Sequence, residues 1–198
     1  RREVKDMIAY LRLVYNPQDE ISLTRVINTP PRGIGGKTLQ NLRVTAAEAG
    51  KASGEILLDL GKNGPDSVFW PDLGRGALAL ADFGSKLIDW QTELVSHASI
   101  SSLMERIILE TNFQTYVESD DSDDIDRWEN VEELRKMAFE YEERGIADFL
   151  QNLALVSDQD TITENADAPT LMTLHAVKGL EFNRVFIIGL DDGVLPHS

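Results

Sequence analysis

For about 160 residues the apolar positions of this chain recur at helical spacing, and only then does the period shorten. RREVKDMIAYLRLVYNP places Val4, Met7, Ile8, Leu11 and Val14 on one helical face before Asn16-Pro17 ends the run. Asp19 is positioned to cap a second helix over about 20–28, and KTLQNLRVTAAEAG predicts a third that Gly50 stops. A short helix at 53–60, a breaker-rich loop GKNGPDSVFWPDLG, and a long helix over about 75–96 follow. Helices at 99–110 and near 112–118 precede the acidic run SDDSDDID at 119–126. One more helix runs from near Ile125 to about Arg144, and Gly145 separates it from IADFLQNLALVS. After the polar stretch DQDTITENADAP, the runs TLMTLH and RVFIIGL are short and β-rich, separated by AVKGLEFN. The pattern therefore predicts a mainly α chain, a helical body leading into the start of an α/β unit.

Composition narrows the function classes. No apolar stretch approaches the roughly 20 residues that span a bilayer, so no membrane partner is expected. The chain has no cysteine, which rules out disulfides and thiolate metal sites and fits a cytoplasmic location. His97, His175 and His197 are not spaced as metal ligands. The net charge of −15 argues against nucleic acid, but the charge is uneven. Residues 1–50 hold eight Lys/Arg against five Asp/Glu, whereas 105–167 hold five against nineteen. The first helical pattern opens at Arg1 without a Met, and the last strand-like run stops near the end, so the sequence reads as a piece of something longer.

Two stretches carry candidate chemistry. INTPPRGIGGKTLQNL contains Gly36-Lys37-Thr38, the closing letters of a phosphate-binding loop. Such a loop needs glycine where this chain has Pro31, which offers no N–H and cannot reach positive φ. It also needs a preceding strand, and ISLTRVIN reads as helix. A nucleotide-hydrolase loop is therefore rejected. Helix, Gly-x-Gly turn and helix is instead the layout of a hairpin gripping a nucleic-acid backbone. Gly33, Gly35 and Gly36 let the main chain come close, Ile34 sits between them, and Arg32, Lys37 and Thr38 add charge and a hydroxyl. A plain helix–helix connection accounts for the same spacing, and the residues alone leave both open.

The second stretch is TLMTLHAVKGLEF. A strand would deliver Thr173 and His175 to its carboxyl edge, with Lys178, Gly179 and Glu181 in the turn beyond. Lysine suits a phosphate and a carboxylate suits a ribose hydroxyl, but on chemistry alone the leading reading is an ordinary exposed Lys178–Glu181 pair with His175 a satisfied edge residue. VFIIGLDD reads as a buried strand with polar ends. Trp70 and Trp90 are expected to pack rather than stack on bases, and RWENVEELRKMAFEYEE reads as an amphipathic helix with a solvated face.

Four segments together resemble the superfamily-one DNA helicases of the UvrD/PcrA/Rep type: RREVKDMIAYLRLVYNPQDEISLTRVINTPPRGIG, RWENVEEL, FLQNLALVSD, and LMTLHAVKGLEF with VFIIGLDDGVLPH. The resemblance covers essentially the whole chain and is most specific in its first and last segments. It implies a helical 2B-type insertion subdomain over 19–165. This would be flanked by a junction helix at 1–18 and, at 166–198, two short strands of a RecA-like motor domain (2A) bearing the fifth motif. It further implies that Arg32 to Thr38 contact duplex DNA and that Thr173 and His175 contact the single strand. Lys178, Gly179 and Glu181 would lie at the nucleotide, Lys178 near the phosphates and Glu181 on the ribose. ATP and Mg²⁺ would be cofactors of the full-length enzyme, whose phosphate loop and metal-binding acids lie elsewhere, so the piece alone is expected to be inactive. Movement 3′ to 5′ in DNA repair or replication, the missing motor domain in cis, and repair or transcription proteins as further partners are likewise implied. Asn183 replaces a frequent proline and Val177 a usual small residue. The competing reading, from a different class, is a regulatory or protein-docking module built on 105–160, with DNA contact incidental.

Overall fold

The computed structural model describes residues 1–96, 99–119, 127–160 and 184–186. The chain divides into two compact units, Arg1–Asn152 and Leu153–Ser198. Helices account for nearly all of the first: α1 (Arg2–Tyr15), α2 (Glu20–Val26), α3 (Gly36–Ala49), α4 (Ser53–Asn63), the one-turn α5 (Trp70–Leu73), α6 (Ala77–Val95), α7 (Ile100–Thr111), α8 (Phe113–Glu118) and α9 (Arg127–Phe139). A tenth, α10 (Ile146–Asp160), runs across the division. Among the described residues there is no strand, and residues 184–186 carry no regular element. The strands expected at 170–175 and 184–190 otherwise fall outside the described residues, as does most of the acidic run.

Local chemistry sets the helix ends. Asp19 caps α2 by accepting from the N–H groups of Ile21 and Ser22 at 3.1 and 3.0 Å. Gly50 closes α3 in the left-handed region at φ 63°, where the absence of a Cβ removes the steric cost. The breaker-rich stretch is not one open loop. Two tight helical turns, Gly64–Asp66 and Gly74–Gly76, flank α5, and α6 begins at Ala77. Helix α9 ends at Phe139, earlier than the pattern predicts. Residues 140–144 form tight turns instead, with the Tyr141 N–H on the Ala138 carbonyl at 3.0 Å.

Helix α1 is the hub and packs against α2, α6, α7 and α9. Its Met7, Tyr10 and Leu11 are fully buried. Tyr10 meets Trp90 edge-on at 5.9 Å between centroids and Phe113 at 6.2 Å, and Phe83 meets Trp90 at 6.1 Å. Trp90 is buried in this cluster as expected, its indole N–H donating to Glu110 at 2.8 Å, while Trp70 is half-buried. Helices α4 and α6 make the closest crossing. A Cβ on Gly84 would lie 2.0 Å from the Leu57 carbonyl oxygen, and one on Gly61 would lie 2.3 Å from the Gly84 backbone.

The first turns of α1 are held by charge. Buried Glu3 accepts from Asn130 at 2.8 Å and pairs with Arg127 at 3.5 Å, tying α1 to α9. Burial pushes the Glu3 carboxyl up, but its backbone hydrogen bond, Asn130 and Arg127 together outweigh burial and hold it below its ordinary range. One turn on, Asp6 pairs with Arg25 at 2.7 Å, yet burial dominates there and its carboxyl is pushed up.

Candidate nucleic-acid interface

The candidate turn spans 27–38, between α2 and α3, and its shape is dictated from inside. Asn28, half-buried, accepts two backbone N–H groups through Oδ1, from Arg32 at 2.9 Å and from Ile34 at 3.2 Å. Asparagine's short amide mimics a backbone acceptor and pins the chain while it reverses. Ile34, 2% exposed, drives one side chain of the turn into the core. Gly33 takes φ 79°, a conformation that L side chains rarely adopt, so the reversal depends on glycine there. The Thr29–Pro30 peptide is cis and Pro30 is buried.

The outer surface of the turn is nearly bare. Gly33, Gly35, Gly36 and Lys37 are exposed, and a Cβ added at any of the three glycines would meet nothing within 4 Å. Gly35 is the N-cap of α3 in extended conformation and has no side chain to accept from the helix. Its carbonyl receives the Leu39 N–H at 3.0 Å, so the helical ladder starts one step further on. The N–H groups of Gly36, Lys37 and Thr38 have no partner among the described residues. These donors lie at the positive end of the α3 dipole, where Gly35, Gly36 and Lys37 are exposed and Lys37 forms no ion pair among the described residues. Thr38 is half-buried, with its methyl turned against Gly76, where an added Cβ would come within 2.3 Å of Thr38 Cγ2.

Arg32 behaves differently from Lys37. Its guanidinium turns into the protein, where Nη2 donates to the Tyr10 hydroxyl and to the Thr29 carbonyl, the latter at 3.3 Å. Cζ lies 4.6 Å from the centroid of Phe83 and 5.8 Å from that of Tyr10. Both rings are fully buried, and Tyr10 in turn donates to the Thr29 carbonyl. Burial pushes the Tyr10 phenol up, and the Arg32 charge works in the opposite direction without cancelling it.

The structure therefore brings Arg32, Gly33, Ile34, Gly35, Gly36, Lys37 and Thr38 into one turn, with Arg32 and Ile34 inward and the rest toward solvent or Gly76. Thr173, His175, Lys178, Gly179 and Glu181 lie outside the described residues. Among the described residues, no cluster of three or more His, Asp or Glu is arranged to hold a metal ion. Sequence reasoning does not single out Asn28, although an asparagine before a reversal is itself a turn signal. Gly76 has no sequence signal placing it beside Thr38.

These features define a helical hairpin whose second helix begins with free backbone donors beside a lysine, the kind of element that meets an anionic backbone without reading bases. The chain belongs to the UvrD-like helicase C-terminal domain family, whose model matches residues 1–57 and 79–198. It is 36% identical over 209 residues to the ATP-dependent DNA helicase PcrA of Bacillus subtilis (strain 168), covering 100% of this chain and 27% of that protein. It is 34% identical over 217 residues to the ATP-dependent DNA helicase UvrD1 of Mycobacterium tuberculosis (strain ATCC 25618 / H37Rv), with the same coverage of each. Against the PcrA helicase of Leuconostoc citreum it is 32% identical over 213 residues, again 100% of this chain and 27% of that one. The chain thus spans 27% of the length of these curated relatives. The unmatched residues 58–78 contain α5 and both glycine turns, the second of which rests on Thr38.

Proposed function

We propose that this chain is a section of an ATP-dependent DNA helicase and that its turn at 32–38 holds the duplex backbone ahead of the motor. The observation that carries the reading is the start of α3. Three N–H groups there have no internal acceptor among the described residues, in a sequence that includes an exposed, unpaired lysine and on a turn held by Asn28 and Ile34. A phosphate supplies the acceptor that this helix lacks, and contact of this kind ignores base sequence, as a motor moving along DNA requires.

The remaining assignments follow from membership of the family. Thr173 and His175 are proposed to meet the single-strand backbone, and Lys178, Gly179 and Glu181 the nucleotide, Lys178 near its phosphates and Glu181 on the ribose. ATP and Mg²⁺ are proposed for the full-length enzyme, where hydrolysis supplies the free energy for stepping, 3′ to 5′. In that enzyme, segment 173–181 would couple the nucleotide cleft to the strand, and the chain by itself would not hydrolyse ATP.

Binding of a short blunt duplex, measured as a function of salt, tests the reading. Removing one Lys–phosphate interaction should lower the slope of log K against log salt by about 0.9. Lys37→Ala is expected to lower it by about that amount without changing the melting temperature, since Lys37 is exposed and unpaired. Absence of duplex binding at low salt, or a slope unmoved by Lys37→Ala, sinks the proposal.

A further inference from the structure

Arg32 carries the charge that its place in the sequence would assign to a phosphate, yet its guanidinium faces the core. We propose that Arg32 is a positioning residue for duplex binding, locking the turn from within while Lys37 and the α3 backbone donors meet the phosphates. The inference rests on the duplex-binding reading above and divides the labour within that same site.

Several contacts fix Arg32 at once. Its backbone N–H is held by Asn28 at 2.9 Å, and its side chain lies over Phe83 with Cζ 4.6 Å from the ring centroid. Nη2 is shared between the Tyr10 hydroxyl and the Thr29 carbonyl, whereas Nη1 is buried with no hydrogen-bond partner among the described residues. These partners come from α1, α6 and the turn itself, so one side chain couples the reversal to two core helices. To reach a phosphate, the guanidinium would have to leave the faces of two fully buried rings and abandon both acceptors. Nothing outside the turn compels that move, because Lys37 is already exposed and unpaired.

The arrangement also requires arginine in particular. A planar guanidinium stacks on an aromatic face while donating sideways in two directions, whereas an ammonium is a compact, strongly hydrated point charge. No carboxylate lies within ion-pairing distance of Arg32 among the described residues, so its partners are π faces, a hydroxyl and a carbonyl. A lysine would keep the charge and lose the lock. Charge and geometry can therefore be separated by substitution.

The test compares Arg32→Lys, Arg32→Ala, Tyr10→Phe and Lys37→Ala in the 198-residue chain, by anisotropy of a labelled short duplex across a salt series. Arg32→Lys and Arg32→Ala are both expected to bind about tenfold more weakly, because the turn must then be ordered on binding, with the wild-type salt slope retained. Tyr10→Phe, which removes only a buried hydroxyl, is expected to weaken binding about threefold with the slope unchanged. Combined with Arg32→Lys it should add nothing further, since both act through the same contact. Wild-type affinity in Arg32→Lys, together with a slope reduced by about 0.9 in Arg32→Ala, would make Arg32 a direct phosphate contact and overturn the proposal. If melting shows that the Arg32 variants do not fold, Tyr10→Phe decides alone, and wild-type affinity there overturns it. Failure of the underlying reading looks different: the wild-type chain does not bind, or Lys37→Ala leaves the slope untouched, with the Arg32–Tyr10 contact intact in both proteins.

Discussion

At the start of α4, Glu55 reaches back to the N–H of Ala52 at 2.8 Å, and Glu20 comes across from α2 to accept from Ser53 at 2.6 Å. Ser53 is 2% exposed, and Gly54 packs so closely on Pro17 that an added Cβ would sit 1.8 Å from its carbonyl oxygen. At the start of α3, only seventeen positions earlier, Thr38 stands where α4 has Glu55, the surface at Gly35 and Gly36 is open, and the N–H groups of Gly36, Lys37 and Thr38 find no acceptor among the described residues. Both helices expose the same four orphan donors and the same positive dipole end at the outset. In α4 the fold satisfies three of them, the N–H groups of Ala52, Ser53 and Glu55; in α3 it leaves those of Gly36, Lys37 and Thr38 available. Glycine accordingly plays opposite parts, giving contact to a neighbouring backbone in α4 and room for an incoming one in α3.

The largest effect expected from disturbing either helix start falls on stability. Gly54→Ala should cost about 3 kcal/mol, because the Cβ meets backbone that cannot rotate aside. Denaturant unfolding checks this, and a cost under about 1 kcal/mol would mean that the seat on Pro17 is looser than its geometry implies. Any weakening of duplex binding should track the unfolded fraction alone.

Supplying α3 with what α4 already has should move stability and binding in opposite directions. Gly35→Asp places a carboxylate at the N-cap in extended backbone that any residue adopts, with nothing within 4 Å of the new Cβ. Stability should rise by a few tenths of a kcal/mol, the usual gain of aspartate over glycine at that position. Duplex affinity should fall by about tenfold or more, since the new carboxylate occupies the donors and repels phosphate. Equal or tighter binding by this variant would remove the α3 start from the interface.

How much of this was legible in the sequence depends on how far apart the interacting residues lie. The Asp19 cap, the Gly50 stop and the extents of α1 and α7 are local properties, and the structure carries them within a residue or two of the expected bounds. The glycine turn between two helices was also legible, as was its exposed lysine. The inward course of Arg32 was not, because it depends on Tyr10 and Phe83, which only the packed helices bring to the turn. A sequence supplies the charge of a side chain but not which of its neighbours will draw it in. The same holds for Gly76, whose seat on Thr38 joins a breaker-rich stretch to the candidate site. Glu20 reads locally as a first-turn acid of α2, and nothing near it predicts that it caps α4.

That long-range cap supports the smallest of the expected effects. Glu20→Ala removes the acceptor for the Ser53 N–H and should cost about 1 kcal/mol, the typical effect of deleting an N-terminal capping group. Duplex affinity and its salt slope should stay within about twofold of wild type, because the α3 start is untouched and destabilisation of this size leaves the chain folded. The separation is not trivial, since α2 also touches α3: Arg43 donates to the Thr24 hydroxyl at 2.6 Å. If Glu20→Ala weakens duplex binding as much as it weakens the fold, α2 transmits strain between the two helix starts, and the satisfied and open N-termini are one coupled unit. If binding holds while unfolding shifts, α3 presents its donors independently of how α4 is capped, as a turn braced by its own Asn28 and Arg32 contacts should.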